Sequence, residues 1–142
     1  MRLADFSMKW ELTLKRLREI LPNIEYCTPS AIVDKAEKSV HPMRQYQKDA
    51  FDPQDPLIFE KVIGLFPEDE NLILITDRSF LKDQTPYLVR RSQAQLFRDL
   101  YSSQTGEDVF SGADLIVFGT DTDMVFLYHH EGYAFSIGQS QQ

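Results

Sequence analysis

The last third of the chain lacks lysine and arginine, because neither residue occurs between positions 99 and 142. The same segment carries seven acidic residues, namely Asp99, Glu107, Asp108, Asp114, Asp121, Asp123 and Glu131. A surface of one negative sign repels phosphate and attracts cationic groups. We therefore expect that the protein does not bind nucleic acid and that its partner is a basic protein.

Pairs of cysteines and long apolar runs are also missing. Cys27 is the only cysteine in 142 residues, so an internal disulfide cannot form, which favours a reducing compartment. No stretch approaches the roughly 20 apolar residues that span a bilayer. Charged residues interrupt the N-terminal segment too often for a signal peptide. We expect a cytoplasmic protein that is not associated with a membrane.

Catalytic motifs with an informative spacing are absent as well. The six glycines are scattered singly, so the chain has no glycine-rich phosphate loop. Ser79 has no flanking glycine and does not form a nucleophile elbow. Cys27 with His41 would be a candidate thiol nucleophile, but a lone cysteine is more often an inert buried side chain. We expect no cofactor and no enzymatic activity.

The composition is that of a folded domain. Hydrophobic residues make up 42% of the chain and charged residues 26%, and 142 residues suffice for one core. We expect a single domain over residues 1–142. Its net charge of −7 is unevenly distributed, since residues 51–142 hold fifteen acidic and only six basic residues.

Helical patterns dominate the first part of the chain. Apolar residues recur every three or four positions from residue 6 to residue 21, which predicts a first helix with one buried stripe. The stripe comprises Phe6, Trp10, Leu14, Leu17 and Leu21. Thr28 followed by Pro29 is typical of a helix start and predicts a helix over residues 29–39. Further helices are predicted over residues 56–65 and 92–101, with Leu57 and Leu96 among their inward-facing side chains.

Strand patterns follow residue 70. Short apolar runs predict strands at residues 72–76, 87–89, 113–119 and 124–128, and an edge strand at residues 133–137. Residues 40–54 are polar and bounded by prolines, which predicts a long loop. The predicted fold class is α+β, with N-terminal helices packed on one face of a C-terminal antiparallel sheet, a meander.

The acidic loops of this sheet are the predicted surface for the basic partner. Tyrosines beside them would supply anchors, because tyrosine combines apolar area with a hydrogen-bonding tip. The candidate partner-binding residues are Glu107, Asp108, Asp121, Asp123, Tyr128, His130, Glu131 and Tyr133.

Two alternatives remain open. A small metal-dependent hydrolase would use His129 and His130 with Asp121 and Asp123. Neighbouring side chains on a strand point to opposite faces, which argues against convergence of the two histidines, and an Asp-Thr-Asp sequence is also typical of a turn. The second alternative is an accessory domain that oligomerises through the edge strand at residues 133–137.

The order of these segments resembles a known protein family. Amphipathic helices come first, then LILITDRSF, then LIVFGTDTDMVFLYHHEGYAF. This arrangement resembles small bacterial immunity proteins of polymorphic or contact-dependent toxin systems, and the resemblance covers mainly residues 71–137. It implies a non-enzymatic protein that binds and neutralises a basic toxin domain, for example a nuclease, inside the producing cell.

Overall fold

The computed structural model describes residues 1–38, 43–110 and 113–138, so the candidate His41 lies outside the described residues. The described α-helices are α1 (Trp10–Ile20), α2 (Pro29–Glu37), α3 (Ile58–Ile63) and α4 (Ala94–Thr105). Short 3₁₀ helices occur at Leu3–Phe6, Asp77–Phe80 and Arg91–Gln93. The described strands are β1 (Met43–Gln45), β2 (Asn71–Thr76), β3 (Tyr87–Arg90), β4 (Leu115–Gly119), β5 (Met124–Tyr128) and β6 (Ala134–Gly138).

The six strands form one antiparallel sheet in the order β1-β6-β5-β4-β2-β3. Strands β4, β5 and β6 are consecutive neighbours and make the predicted meander. The β2–β3 hairpin joins this meander through pairing of β2 with β4. The predicted α+β class with an antiparallel sheet is therefore confirmed.

Helices cover both faces of the sheet, whereas the sequence predicted cover on one face. Helices α1 and α2 pack on the face that carries Ile73 and Ile116. Helices α3 and α4 pack on the opposite face, against Leu72, Val117 and Phe126. The cause is that successive strand residues point to opposite faces, and the runs LILI, LIVF and MVFLY are apolar at every position. Cover on one face would leave half of these side chains in water.

The predicted first helix is divided by the edge of the sheet. Phe6 lies in a 3₁₀ helix and packs edge-on against Phe97 of α4, at 5.4 Å between ring centroids. Trp10 begins α1 and contacts the core of the other face. Between them, Ser7 forms a β-bridge with Tyr87 on edge strand β3. The chain crosses from one face to the other at this bridge, so the predicted stripe from Phe6 to Trp10 is not continuous.

Helix boundaries follow the predicted capping only in part. The Thr28 hydroxyl accepts the Ala31 N–H at 3.3 Å, which confirms the start of α2. Helix α3 begins at Ile58, and Leu57 before it is 51% exposed. Leu96 of α4 is 43% exposed, because the buried face of this helix is formed by Phe97 and, one turn later, by Tyr101. The expectation that Leu57 and Leu96 face inward was therefore wrong.

One edge of the sheet is formed by β1 and not, as predicted, by β6. Met43, Arg44 and Gln45 pair with β6, in the segment predicted to be a loop. Strand β6 consequently lies between β5 and β1, and the prediction of an edge strand at residues 133–137 is wrong. A three-residue strand of polar character carries little local signal, which explains why the sequence did not indicate it. Oligomerisation through β6 would require an unpaired edge of this strand, and β6 is paired on both sides.

Candidate functional site

One end of the sheet gathers carboxylates from separate parts of the chain, and we name this group the acidic end. Its members are Asp77, Glu107, Asp114 and Glu131. Leu115 pairs with Thr76 on one side and with Tyr128 on the other, so the residues that flank these positions meet at the same end. Asp77 follows β2 directly and its carboxylate accepts the Asp114 N–H at 3.3 Å. Antiparallel pairing thus assembles the group.

The electrostatics of the acidic end show how close its members are. Burial raises the pKa of the Asp77 carboxyl group, and the charges of Asp114 and Glu107 raise it further, although the hydrogen bond from the Asp114 N–H lowers it. No lysine or arginine among the described residues forms an ion pair with any of the four carboxylates. Among the described residues, His130 is the one basic side chain that pairs with this group, through Asp114 and Glu131, so negative charge predominates at the acidic end.

Two histidine rings lie side by side at the acidic end. Strand β5 ends before them, and their ring centroids are 4.1 Å apart with planes inclined by 32°. The Asp114 carboxylate accepts the His130 N–H at 2.8 Å and lies 2.9 Å from its Nδ1. The hydrogen bond between the His130 ring and the Asp114 carboxylate raises the pKa of His130, and the charges of Asp114 and Glu131 add to the effect. The strand geometry that argued against convergence does not apply, because both histidines follow the end of β5 and His130 lies in the turn.

Asp121 and Asp123 lie at the opposite end of the sheet, in the β4–β5 hairpin. A strand of this length separates the two ends by roughly 13 Å. Asp123 pairs with Arg16 of α1 at 3.2 Å. The structure therefore divides the predicted partner surface, and it does not bring these two carboxylates to the histidines as the hydrolase alternative requires.

The hairpin tip owes its shape to Glu70, which the sequence did not single out. This side chain is 3% exposed, and its Oε1 accepts the backbone N–H of Asp121 at 2.7 Å and that of Thr122. Gly119 lies against the same carboxylate, where a Cβ atom would collide with it. Arg16 donates to the Gly119 carbonyl at 2.8 Å. These contacts favour the turn interpretation of the Asp-Thr-Asp sequence.

Three other predicted residues are less available than expected. The Asp108 carboxylate receives two hydrogen bonds from Arg98, at 3.2 and 3.1 Å, which compensate its charge. Tyr128 is 1% exposed and offers no surface to a partner, so its selection was wrong. Tyr128 is the last residue of β5, and its place beside a loop did not indicate that its ring points into the core. Tyr133 is half-buried beneath Lys48, whose Nζ lies 5.6 Å from the ring centroid.

An apolar groove of about 380 Å³ is lined by residues of α1, of the segment before α2 and of the 3₁₀ helix that follows β2. We name it the aromatic groove; its walls include Trp10, Glu11, Glu25, Tyr26 and Phe80. Trp10 and Phe80 have ring centroids 5.2 Å apart, and Tyr26 is 66% exposed. The sequence assigned Trp10 to the core alone. Exposed aromatic rings between two carboxylates form a surface suited to a cationic, partly apolar ligand.

Short elements connect the aromatic groove with the acidic end. The 3₁₀ helix that begins at Asp77 ends at Phe80, a wall of the groove. Thr28 lines the groove, and the next residues, Pro29 and Ser30, line a second cavity of about 410 Å³ together with Asp114. Asp77 of the acidic end and Phe80 of the aromatic groove thus lie on the same short helix, and neighbouring residues of the chain line the two cavities.

No family model, curated protein or solved structure matches this chain. The function is therefore inferred from the geometry of the site. None of the helices in the described part of the chain has the length and apolar character needed to cross a membrane.

Cys27 lies at the floor of the aromatic groove and is buried. Burial raises the pKa of its thiol to about 11, and the charge of Arg18 partly offsets this effect. At about pH 8 roughly one thiol in a thousand is then ionised, and the thiolate is the reactive form. We expect slow reaction with an aromatic disulfide reagent in the folded protein, about tenfold faster per pH unit, and rapid reaction in denaturant. Equal rates in the folded and denatured protein would contradict this prediction.

Proposed function

We propose that this protein is a non-enzymatic binding module for a basic protein partner. The observation that carries the proposal is the acidic end, whose four carboxylates have no lysine or arginine ion-pair partner among the described residues. Complementary charge accelerates association and selects against acidic competitors. Charge supplies little affinity at an exposed surface, so a second feature is needed to hold the partner.

The aromatic groove supplies that feature. Large aromatic side chains are the residues that most often dominate the energy of protein interfaces. Trp10 and Phe80 form a wall that accepts an apolar side chain, and Glu11 lies beside them to accept a cation. The partner segment that fits has an apolar side chain flanked by lysine or arginine. Its apolar part enters the groove, and its cations face Glu11 and the acidic end.

The resemblance of residues 71–137 to small bacterial immunity proteins favours a toxin domain as the basic partner. In this form of the proposal, the protein acts in the cytoplasm of the producing cell and covers the cationic surface with which the toxin binds its own target.

The expected genetic setting is a neighbouring gene for a basic toxin domain. Coexpression should abolish the toxicity of that domain, and unchanged toxicity would overturn the immunity form of the proposal.

A displayed library of random peptides, selected on the immobilised full-length protein, tests the binding proposal. We expect the selected peptides to combine lysine or arginine with an apolar residue. The double variant Glu107→Lys/Glu131→Lys should bind them at least about tenfold more weakly, which corresponds to about 1.4 kcal/mol. Both side chains are exposed, so the fold should tolerate the exchange.

The matched control is Glu68→Lys/Asp121→Lys, which changes the net charge equally at the opposite end of the sheet, on exposed side chains. It should keep the affinity for the selected peptides. Equal losses in the two double variants would show that only the net charge matters. That result, or selection of peptides without basic residues, would contradict binding at the acidic end.

A further inference from the structure

We propose that Asp114, His129 and His130 form a binding site for a divalent transition-metal ion of the zinc type. The three residues each offer a donor atom, and these atoms lie within 4.8 Å of one another. The inference goes beyond the proposed function, because metal binding at these side chains does not require a protein partner.

The distances are close to those of a metal site. Zinc binds imidazole nitrogen at about 2.0–2.1 Å and carboxylate oxygen at about 2.0–2.2 Å, so the donors of a tetrahedral site are roughly 3.3 Å apart. Asp114 and Nδ1 of His130 are already 2.9 Å apart. The His129 donor lies within 4.8 Å of these two atoms and must move closer to complete the site, in which the ion would take the place of the hydrogen shared by His130 and Asp114.

The backbone holds the donors on one side of the molecule. The turn between β5 and β6 is closed by a hydrogen bond from the His129 N–H to the Tyr133 carbonyl at 2.7 Å and by one from the Gly132 N–H to the His129 carbonyl at 2.9 Å. Gly132 has a φ of +93°, which favours glycine. The His130 N–H fixes the Asp114 carboxylate at 2.8 Å. These backbone contacts fix the positions of His129, His130 and Asp114 relative to one another.

The donor set and its surroundings select the class of ion. Two imidazoles with one carboxylate suit zinc, copper, nickel and related ions, whereas magnesium and calcium prefer oxygen ligands. Asp77 accepts the Asp114 N–H and adds negative charge behind the site. The His130 side chain is 47% exposed and that of Asp114 is 26% exposed, so water can complete the coordination shell.

Calorimetric titration of the untagged full-length protein with zinc chloride tests the inference. We expect one ion per chain, bound at least about 100-fold more tightly than magnesium. His129→Ala, His130→Ala and Asp114→Asn should each weaken zinc binding at least about tenfold. The control His41→Ala replaces the remaining histidine of the chain and should leave the affinity unchanged.

A spectroscopic measurement keeps the inference testable if a variant fails to fold. Cobalt(II), added to the wild-type protein, should broaden the imidazole NMR signals of His129 and His130 and leave that of His41 sharp. Zinc affinity that survives all three substitutions, or broadening centred on His41, would overturn the site. Neither result would affect the peptide selection, so failure of the metal site and failure of the proposed function can be distinguished.

Discussion

Replacement of Phe118 by alanine should lower the free energy of unfolding by about 3–5 kcal/mol, and replacement of Phe126 should have a similar effect. Both side chains are 0% exposed, and they lie on opposite faces of the sheet. Each substitution removes buried apolar contacts and leaves a cavity that the surrounding side chains fill only in part. Guanidinium denaturation followed by circular dichroism measures the loss.

The two variants together test whether helices cover both faces of the sheet. If helices packed on one face only, one of the two rings would be at the surface, and its removal would cost less than about 1 kcal/mol. Leu88 of β3, which is 39% exposed, provides the control, and Leu88→Ala should have such a small effect. A similarly small loss for either phenylalanine would contradict the two-sided core.

Gly119→Ala should destabilise the protein by about 2–4 kcal/mol, because the new Cβ atom would overlap with the Glu70 carboxylate. That carboxylate is buried and accepts the N–H groups of Asp121 and Thr122. Its displacement leaves these donors without their partner at the hairpin tip. The change in unfolding free energy can be measured by the same denaturation experiment.

A double-mutant cycle with Glu70→Ala identifies the cause. In the Glu70→Ala background the collision is absent, so Gly119→Ala should cost about 1–3 kcal/mol less than in the wild type. Gly106→Ala is the control for backbone conformation, since Gly106 has a φ of +76° and no atom within 4 Å of an added Cβ. It should cost about 1 kcal/mol. Additive effects of the Glu70 and Gly119 substitutions would contradict contact between the two residues.

Several local elements could be predicted because their signals are local. The Thr28–Pro29 start of α2 needs only a hydroxyl acceptor and a residue with a fixed φ. Strands β2, β4 and β5 stand out as short apolar runs. The same runs also held the information that both faces of the sheet are buried, because a sheet that faces water on one side alternates apolar and polar residues.

The candidate site was predictable only in part. Glu107, His130 and Glu131 do meet at one end of the sheet, and their acidic character was evident in the sequence. Asp77 was missed because it precedes Asp114 by 37 residues, and it approaches only through the pairing of β2 with β4. Asp121 was assigned to the same surface, although a full strand separates it from the others.

The sequence alone determined the one-signed charge of the last third, the main strands and the start of α2, since each depends on residue type or on short periodicity. Tertiary structure alone decided which carboxylates meet, which rings are buried and which strand forms the edge. Strand order brings distant residues together, and the alternation of side chains sends Leu72 and Ile73 to opposite faces. The strand order is not encoded in the spacing of neighbouring residues, because it depends on pairing between segments that are far apart in the chain.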